Sequence, residues 1–111
     1  MSERLKVLFV CARNRWRSPT AEQTYRNDSR LEVRSAGVSK SARRQIAERD
    51  LEWADLVVVM EQEHAKRIRE RFQSADLPEI ELLEIPDEYQ SGDAELVELI
   101  RAGTESVLRD W

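Results

Sequence analysis

The sequence is poor in cysteine, histidine, glycine and proline. Its 111 residues include one cysteine, Cys11, one histidine, His64, and three each of glycine and proline. A single cysteine excludes an internal disulfide and a cysteine-rich zinc site, and a lone histidine has no second histidine to support a metal site. We therefore expect no metal and no cofactor. A free, functional thiol suits a reducing compartment, so we expect a cytoplasmic protein.

Long apolar runs are missing as well. No stretch is apolar for long enough to cross a membrane, and we expect no signal peptide ahead of the first strand. Because glycine and proline are so few, little of the chain can serve as a linker, and we predict one domain over residues 1–111. We expect a monomer with no membrane partner.

Charge is abundant but unevenly spread. Residues 1–50 contain 12 Lys and Arg against 6 Asp and Glu, a net charge of +6, and residues 51–111 contain 6 against 16, a net charge of −10. Two interpretations of the basic half stay open: attraction of anionic substrates, or ordinary surface solvation. The arginines are scattered and the chain is acidic overall, so we expect no nucleic-acid partner.

One stretch near the start combines several chemical signals. The apolar run Leu5–Val10 predicts a buried strand that stops at Cys11; Arg17 follows six residues later, and Ser18-Pro19 predicts a helix start with Ser18 as N-cap. Such a junction presents N–H groups and a positive dipole end to an anion, which favours a cysteine thiolate, and arginine binds two phosphate oxygens at once. Alternatively, Cys11 is a small buried hydrophobe ending a strand.

Apolar periodicity predicts that strands and helices alternate along the rest of the chain. The predicted strands are Leu31–Ser35, Leu56–Met60 and Ile80–Ile85, and the predicted helices are Ser18–Asn27, a short helix within Ser39–Asp50, Glu61–Phe72 and Ala94–Leu108, the last capped by Asp93. This alternation predicts an α/β fold in which a parallel sheet has helices on both faces. Arg43 and Arg44 are either a solvated surface or a rim that faces the substrate, and we assign His64 no catalytic role.

The segment from Cys11 to Glu22 resembles the active-site loop of the low-molecular-weight protein tyrosine phosphatases, whose pattern is C-x-G-N-x-x-R-S-P-x-A-E. The matching residues are Cys11, Asn14, Arg17, Ser18, Pro19, Ala21 and Glu22. Arg13 replaces the family's glycine, and Trp16 stands where some members have a second cysteine. The resemblance implies a three-layer fold with four parallel strands in the order 2-1-3-4 and the site at the carboxyl end of the first strand.

The resemblance also implies a function and residue roles. It implies hydrolysis of phosphate monoesters, chiefly protein phosphotyrosine, with Cys11 as the nucleophile that becomes a phosphocysteine. The phosphate would be held by Arg17 and by the loop N–H groups of Ala12, Arg13, Asn14, Arg15, Trp16 and Arg17. The Ser18 hydroxyl would bond the Cys11 sulfur, and Ser35, in Ser35-Ala36-Gly37, would brace Asn14; from the residues alone this Ser-Gly segment predicts only a turn.

The proton donor is expected in the loop after the fourth strand. The family has an Asp-Pro-Tyr-like segment there, and this chain has Asp87-Glu88-Tyr89. By that match Asp87 is the general acid, with Trp16 and Tyr89 as walls for a substrate ring. Glu88 stands at the position of the proline, so Glu88 is the alternative acid.

Three rival functions remain open. The first is arsenate reduction with an external thiol, because the chain has no further cysteine. The second is a non-catalytic phosphate- or phosphopeptide-binding domain. The third is a thiol redox protein that takes its resolving thiol from elsewhere. The expected partner is a phosphorylated protein or a small aryl phosphate, and Arg13 and Arg15 would favour acidic surroundings in that substrate if they face outward.

Overall fold

The computed structural model describes residues 4–73 and 76–111. These residues form a four-stranded sheet in the order β2-β1-β3-β4, in which every neighbouring pair of strands is parallel. The strands are β1 (Leu5–Cys11), β2 (Leu31–Gly37), β3 (Leu56–Val59) and β4 (Glu79–Leu82). The predicted α/β class and the strand order 2-1-3-4 are confirmed.

Helices cover both faces of the sheet. They are α1 (Arg17–Tyr25), α2 (Glu48–Trp53), α3 (Gln62–Arg71) and α4 (Ala94–Leu108). Side chains alternate across β1, so that Val7 and Phe9 pack with α1 and α4, whereas Leu8 and Val10 pack with α2 and α3. Burial on both faces explains why residues 7–11 of β1 and the whole of β3 are unbroken apolar runs.

The longest helix is too short to cross a membrane. α4 has 15 residues, whereas a spanning helix needs about 20 apolar ones. Among residues 4–73 and 76–111, no helix combines the required length with the required apolar character.

The prediction of a short helix within residues 39–50 is wrong for most of that segment. Helix α2 begins only at Glu48, and the chain before it runs beside the loop that follows β1. There the N–H groups of Ser39 and Arg43 donate to the carbonyls of Ala12 and Arg13. These donors therefore bond to a distant part of the chain instead of to a helical turn, which periodicity cannot reveal.

Strand β4 ends at Leu82 and does not continue to Ile85 as predicted. Glu84 has φ 58°, a left-handed conformation that interrupts an extended strand. The N–H of Ile85 still donates to the carbonyl of Met60 at 2.9 Å. The segment after β4 therefore stays beside the end of β3 and leads towards the carboxyl edge of the sheet.

The two predicted N-caps have different outcomes. Asp93 caps α4 as expected, since its side chain accepts a hydrogen bond from the N–H of Glu95. Ser18 does not cap α1: the helix begins at Arg17, its N-cap is Trp16, and no side chain bonds the cap. The Ser18 hydroxyl makes other contacts, in the site described next.

Candidate active site

Cys11 is the last residue of β1 and lies at the carboxyl edge of the sheet. It is 3% exposed, on the face of the sheet that α1 and α4 cover. Its sulfur lies 3.0 Å from the hydroxyl of Ser18, in the first turn of α1. A hydroxyl that donates to sulfur stabilises the thiolate relative to the thiol, so this contact suits a nucleophile or a leaving group.

Asn14 fixes the shape of the loop between β1 and α1. Its φ is 54°, in the left-handed region that asparagine tolerates better than most residues. Its side-chain amide donates to the hydroxyls of Ser18 at 3.0 Å and Ser35 at 2.9 Å. Ser35 in turn donates to Glu22. The positive φ therefore lies at Asn14 and not at Arg13, the residue that replaces the family's glycine.

The carbonyl groups at the start of the loop between β1 and α1 accept hydrogen bonds from the segment that follows β2. Val38, Ser39 and Arg43 donate their N–H groups to the carbonyls of residues 11, 12 and 13 respectively, at 2.8–3.1 Å. Within the described residues, the N–H groups of residues 12–17 donate to no protein acceptor. Consecutive free N–H groups of this kind form an anion-binding concavity.

Gly37 allows the loop and the segment after β2 to pack this closely. A Cβ atom at this position would lie 2.6 Å from the Cβ of Ala42, 2.7 Å from the carbonyl oxygen of Ala12 and 2.8 Å from the amide nitrogen of Asn14. All three distances are below those of ordinary van der Waals contact. The absence of a side chain at residue 37 is therefore part of how the loop is held.

Arg17 is buried and is oriented by three groups from two parts of the chain. It is 2% exposed, and its Nη1 donates to Oε2 of Glu61 at 2.5 Å and to the carbonyl of Ile85 at 2.8 Å. Its Nε lies 3.7 Å from Oδ1 of Asp87. Sequence reasoning missed Glu61. Its place just after the strand next to β1 was the available signal, because ligand sites form at the carboxyl ends of such strands.

His64 supports the start of α3 through a hydrogen bond to the backbone of Glu61. It is buried, and its Nδ1 accepts a hydrogen bond from the N–H of Glu61 at 3.1 Å. Burial, and secondarily the positive charge of Arg17, lower the pKa of His64 to about 4. The ring is therefore neutral at pH 7 and helps to fix the backbone of Glu61.

A small cavity opens above Cys11. Its volume is about 100 Å³, and we call it the Cys11 cavity; its lining residues are Cys11, Arg13, Arg15, Trp16, Arg17 and Asp87. Sites for drug-sized ligands occupy roughly 300–1,000 Å³, so this one suits a single compact anion. The structure thus brings together the predicted cysteine, arginine and aspartate, and it places Trp16 at their side.

Two residues of the predicted acidic loop do not line the Cys11 cavity. Glu88 is exposed and lies outside its lining. Tyr89 packs against the core, and its hydroxyl donates to Oε1 of Glu95 at 3.2 Å. The structure therefore does not place Tyr89 as a wall of the pocket, because its ring is engaged with the core beside α4.

Comparison with known proteins gives matches at the level of structure only. No protein-family model matches the sequence, and no curated protein matches it. A low-molecular-weight protein tyrosine phosphatase from Streptococcus pyogenes, SP-PTP, is 22% identical, with a TM-score of 0.78 over 96% of this chain and 92% of the other. Wzb from Vibrio vulnificus, solved with benzylphosphonate, is 19% identical, with a TM-score of 0.74 over 98% and 100%.

A third similar structure is that of a phosphatase with a different substrate. The YwlE arginine phosphatase from Geobacillus stearothermophilus is 25% identical, with a TM-score of 0.64 over 93% of this chain and 85% of the other. Together these likenesses show that the chain has the fold of the low-molecular-weight protein tyrosine phosphatases, as the motif around Cys11 predicted.

Proposed function

We propose that the protein is a phosphatase that hydrolyses phosphate monoesters, with protein phosphotyrosine as its substrate, through a phosphocysteine intermediate. The proposal rests chiefly on one observation. The Cys11 sulfur shares a cavity for one compact anion with the buried guanidinium of Arg17 and the carboxylate of Asp87. The same sulfur is hydrogen-bonded to the hydroxyl of Ser18. The fold shared with known phosphatases supports it.

In the first proposed step, the Cys11 thiolate attacks phosphorus. Arg17 and the N–H groups of residues 12–17 bind the three non-bridging oxygens, where negative charge develops. A P–S bond forms as the P–O bond to the substrate breaks, and Asp87 gives its proton to the departing phenoxide. Asp87 lines the Cys11 cavity and Glu88 does not, which favours Asp87 as the acid.

In the second step, water hydrolyses the phosphocysteine. The Asp87 carboxylate takes a proton from the attacking water, the P–S bond breaks, and the products are inorganic phosphate and the Cys11 thiolate. The Ser18 hydroxyl, 3.0 Å from the sulfur, stabilises the thiolate as it departs. The side chains of Asn14, Ser35 and Glu22 have a positioning role, because they hold the loop through hydrogen bonds to one another and to Ser18.

Phosphoarginine is the second candidate substrate, and its support is the likeness to an arginine phosphatase. Its guanidino group carries positive charge next to the phosphoryl group. Arg13 and Arg15 line the Cys11 cavity and would repel that charge, whereas a phosphotyrosine ring carries none. The charges at the cavity mouth therefore favour phosphotyrosine.

Three peptides that differ only in the phosphorylated residue test this proposal. Phosphate release is measured from the phosphotyrosine, phosphoserine and phosphoarginine forms with the wild type and with Cys11→Ser. We expect the phosphotyrosine peptide to have the highest kcat/KM and Cys11→Ser to release no phosphate above background. Equal rates for both proteins would contradict the role of Cys11. If the wild type binds a phosphopeptide but releases no phosphate from it, the protein is a binding domain.

A further inference from the structure

A second groove lies beside the Cys11 cavity, on the side formed by the loop and the segment after β2. We call it the arginine groove; it measures about 360 Å³ and is lined by Arg13, Arg15, Ser41 and Arg43. Arg13 and Arg15 also line the Cys11 cavity. A molecule with its phosphate in the Cys11 cavity therefore has its neighbouring groups next to the arginine groove.

The three arginines of the groove are not neutralised by the protein. Arg13, Arg15 and Arg43 are exposed, and within the described residues none of them pairs with a carboxylate. The adjacent Arg44 is different: it donates to the carbonyl of Ser35 and to Oδ1 of Asp50. Three unpaired guanidinium groups around one groove create a local positive potential that attracts an anion.

The groove is also held in shape before any ligand arrives. The N–H of Arg43 donates to the carbonyl of Arg13 at 3.0 Å and so joins its two sides. The guanidinium of Arg15 lies 5.0 Å from the centroid of the Trp16 ring, within cation–π range. A groove that is already ordered loses less entropy on binding than a flexible one.

We propose that the arginine groove binds the carboxylate of an acidic residue next to the phosphotyrosine, so that the enzyme selects acidic phosphopeptides. Arginine pairs with carboxylate through two parallel hydrogen bonds, which gives geometric as well as electrostatic preference. This inference rests on the proposed function, since it requires the phosphotyrosine to occupy the Cys11 cavity. It assigns Arg43 a role in specificity, apart from the chemical step.

Two phosphotyrosyl peptides test the groove, one with glutamate and one with glutamine on both sides of the phosphotyrosine. The ratio of their kcat/KM values is measured for the wild type, for Arg43→Gln and for Arg49→Gln. Arg49 is exposed on α2 and lines neither cavity, so its variant is a control with the same change in charge. We expect the wild type to prefer the glutamate peptide about two- to five-fold, as for an exposed ion pair.

The preference should decrease in Arg43→Gln, which leaves Arg13 and Arg15 in the groove, and it should persist in Arg49→Gln. The kcat for phenyl phosphate should be unchanged in Arg43→Gln, because Arg43 does not line the Cys11 cavity. Equal kcat/KM values for the two peptides with the wild type, or the same loss of preference in both variants, would overturn the proposal. The second result would mean that overall charge, and not this groove, sets the preference.

A binding measurement separates failure of the groove from failure of the phosphatase proposal. The affinities of both peptides for Cys11→Ser and for Cys11→Ser/Arg43→Gln are measured by fluorescence anisotropy. If the wild type hydrolyses neither peptide but Arg43 still confers tighter binding of the glutamate peptide, the groove is supported and the phosphatase proposal is wrong. If both peptides bind Cys11→Ser equally, the groove proposal is wrong whatever the turnover.

Discussion

Individual side chains around Cys11 divide into those that face the cavity and those that hold them in place. Arg17 and Asp87 line the cavity, whereas Glu61, Asn14 and Ser35 reach it only through hydrogen bonds to other residues. In the proposed mechanism the first group acts on the phosphate and the leaving group. The hydrogen bonds of the second group restrict the motion of the first group. This matters because small displacements in an active site reduce the rate by large factors.

We predict that the effect of Asp87→Asn depends on the leaving group. Phenoxide needs a proton as it departs, so kcat/KM for phenyl phosphate, which reports the steps up to that departure, should fall by about 10²–10⁴-fold. The p-nitrophenoxide ion is a far better leaving group, so the loss for p-nitrophenyl phosphate should be much smaller. Steady-state kinetics with both esters measures this difference.

Glu88→Gln is the matched control for that experiment, since Glu88 is adjacent in sequence and lies outside the Cys11 cavity. Its kinetics should stay close to those of the wild type with both esters. A larger loss in Glu88→Gln than in Asp87→Asn would show that the acid has been assigned to the wrong residue.

Strands, helices and the loops between them could be predicted to different degrees. The β1 loop could be predicted because the residues from Cys11 to Glu22 carry their signal within one short stretch. The contact of Glu61 with Arg17 could not, because the two residues are 44 positions apart in the chain; only the place of Glu61 after β3 indicated that it lies near the site. The prediction for the segment before α2 was wrong for the same reason. Its N–H groups donate to the loop between β1 and α1, so its structure depends on a distant part of the chain.

Gly37→Ala should reduce activity through the loop without touching the Cys11 cavity. The added Cβ meets backbone atoms of Ala12 and Asn14 at 2.7 and 2.8 Å, and backbone cannot move aside as a flexible side chain can. We expect kcat/KM for an aryl phosphate to fall at least about tenfold, the equivalent of roughly 1.4 kcal/mol.

Gly103→Ala provides the comparison for that variant. There the new Cβ meets Cδ2 of Leu83 at 2.7 Å, the end of a flexible side chain, and Gly103 lies in α4, outside the residues that line the cavity. Its kcat/KM should remain within about twofold of the wild type. Unchanged activity in Gly37→Ala would mean that the tight packing at residue 37 does not shape the loop.

The start of α3 should make stability depend on pH through His64. The pKa of His64 is lowered from 6.5 to about 4 in the folded protein, so between these values the unfolded chain binds a proton that the folded chain does not. The free energy of unfolding should therefore fall as pH decreases through this window. At pH 5 the loss attributable to His64 should be about 2 kcal/mol relative to pH 7.

Urea unfolding of the wild type and of His64→Asn at pH 7 and pH 5 measures this contribution. Asparagine can accept the hydrogen bond from Glu61 N–H that His64 Nδ1 accepts, and it does not titrate. The variant should lose about 2 kcal/mol less than the wild type between the two pH values. Equal losses in the two proteins would contradict a buried neutral His64.

The chain as a whole has a negative net charge, whereas the surface around the candidate site is lined by positive charges. The formal net charge is −4, which by itself repels an anionic substrate. The cavity and the arginine groove, however, are lined by four arginines, Arg13, Arg15, Arg17 and Arg43. Since charges act mainly within a Debye length of about 8–10 Å at physiological ionic strength, the local positive charge should determine how the substrate approaches.

The dependence of kcat/KM on ionic strength should reveal whether the arginines at the site or the negative net charge of the protein governs the encounter with substrate. If the arginines dominate, kcat/KM for a phosphotyrosyl peptide should decrease as salt is raised from about 20 to 300 mM, because screening weakens the attraction. A neutral salt such as potassium acetate avoids added phosphate or sulfate. An increase of kcat/KM with salt would show that the net negative charge governs the encounter.

Detection of phosphocysteine tests the proposed chemistry at its decisive step. The wild type is mixed with a phosphotyrosyl peptide, quenched within milliseconds and analysed by intact and peptide mass spectrometry, with Cys11→Ala as the control. We predict one phosphoryl group on the wild type, located on Cys11, and none on the variant. Turnover without a phosphorylated protein, or a phosphoryl group on any other residue, would contradict nucleophilic attack by Cys11.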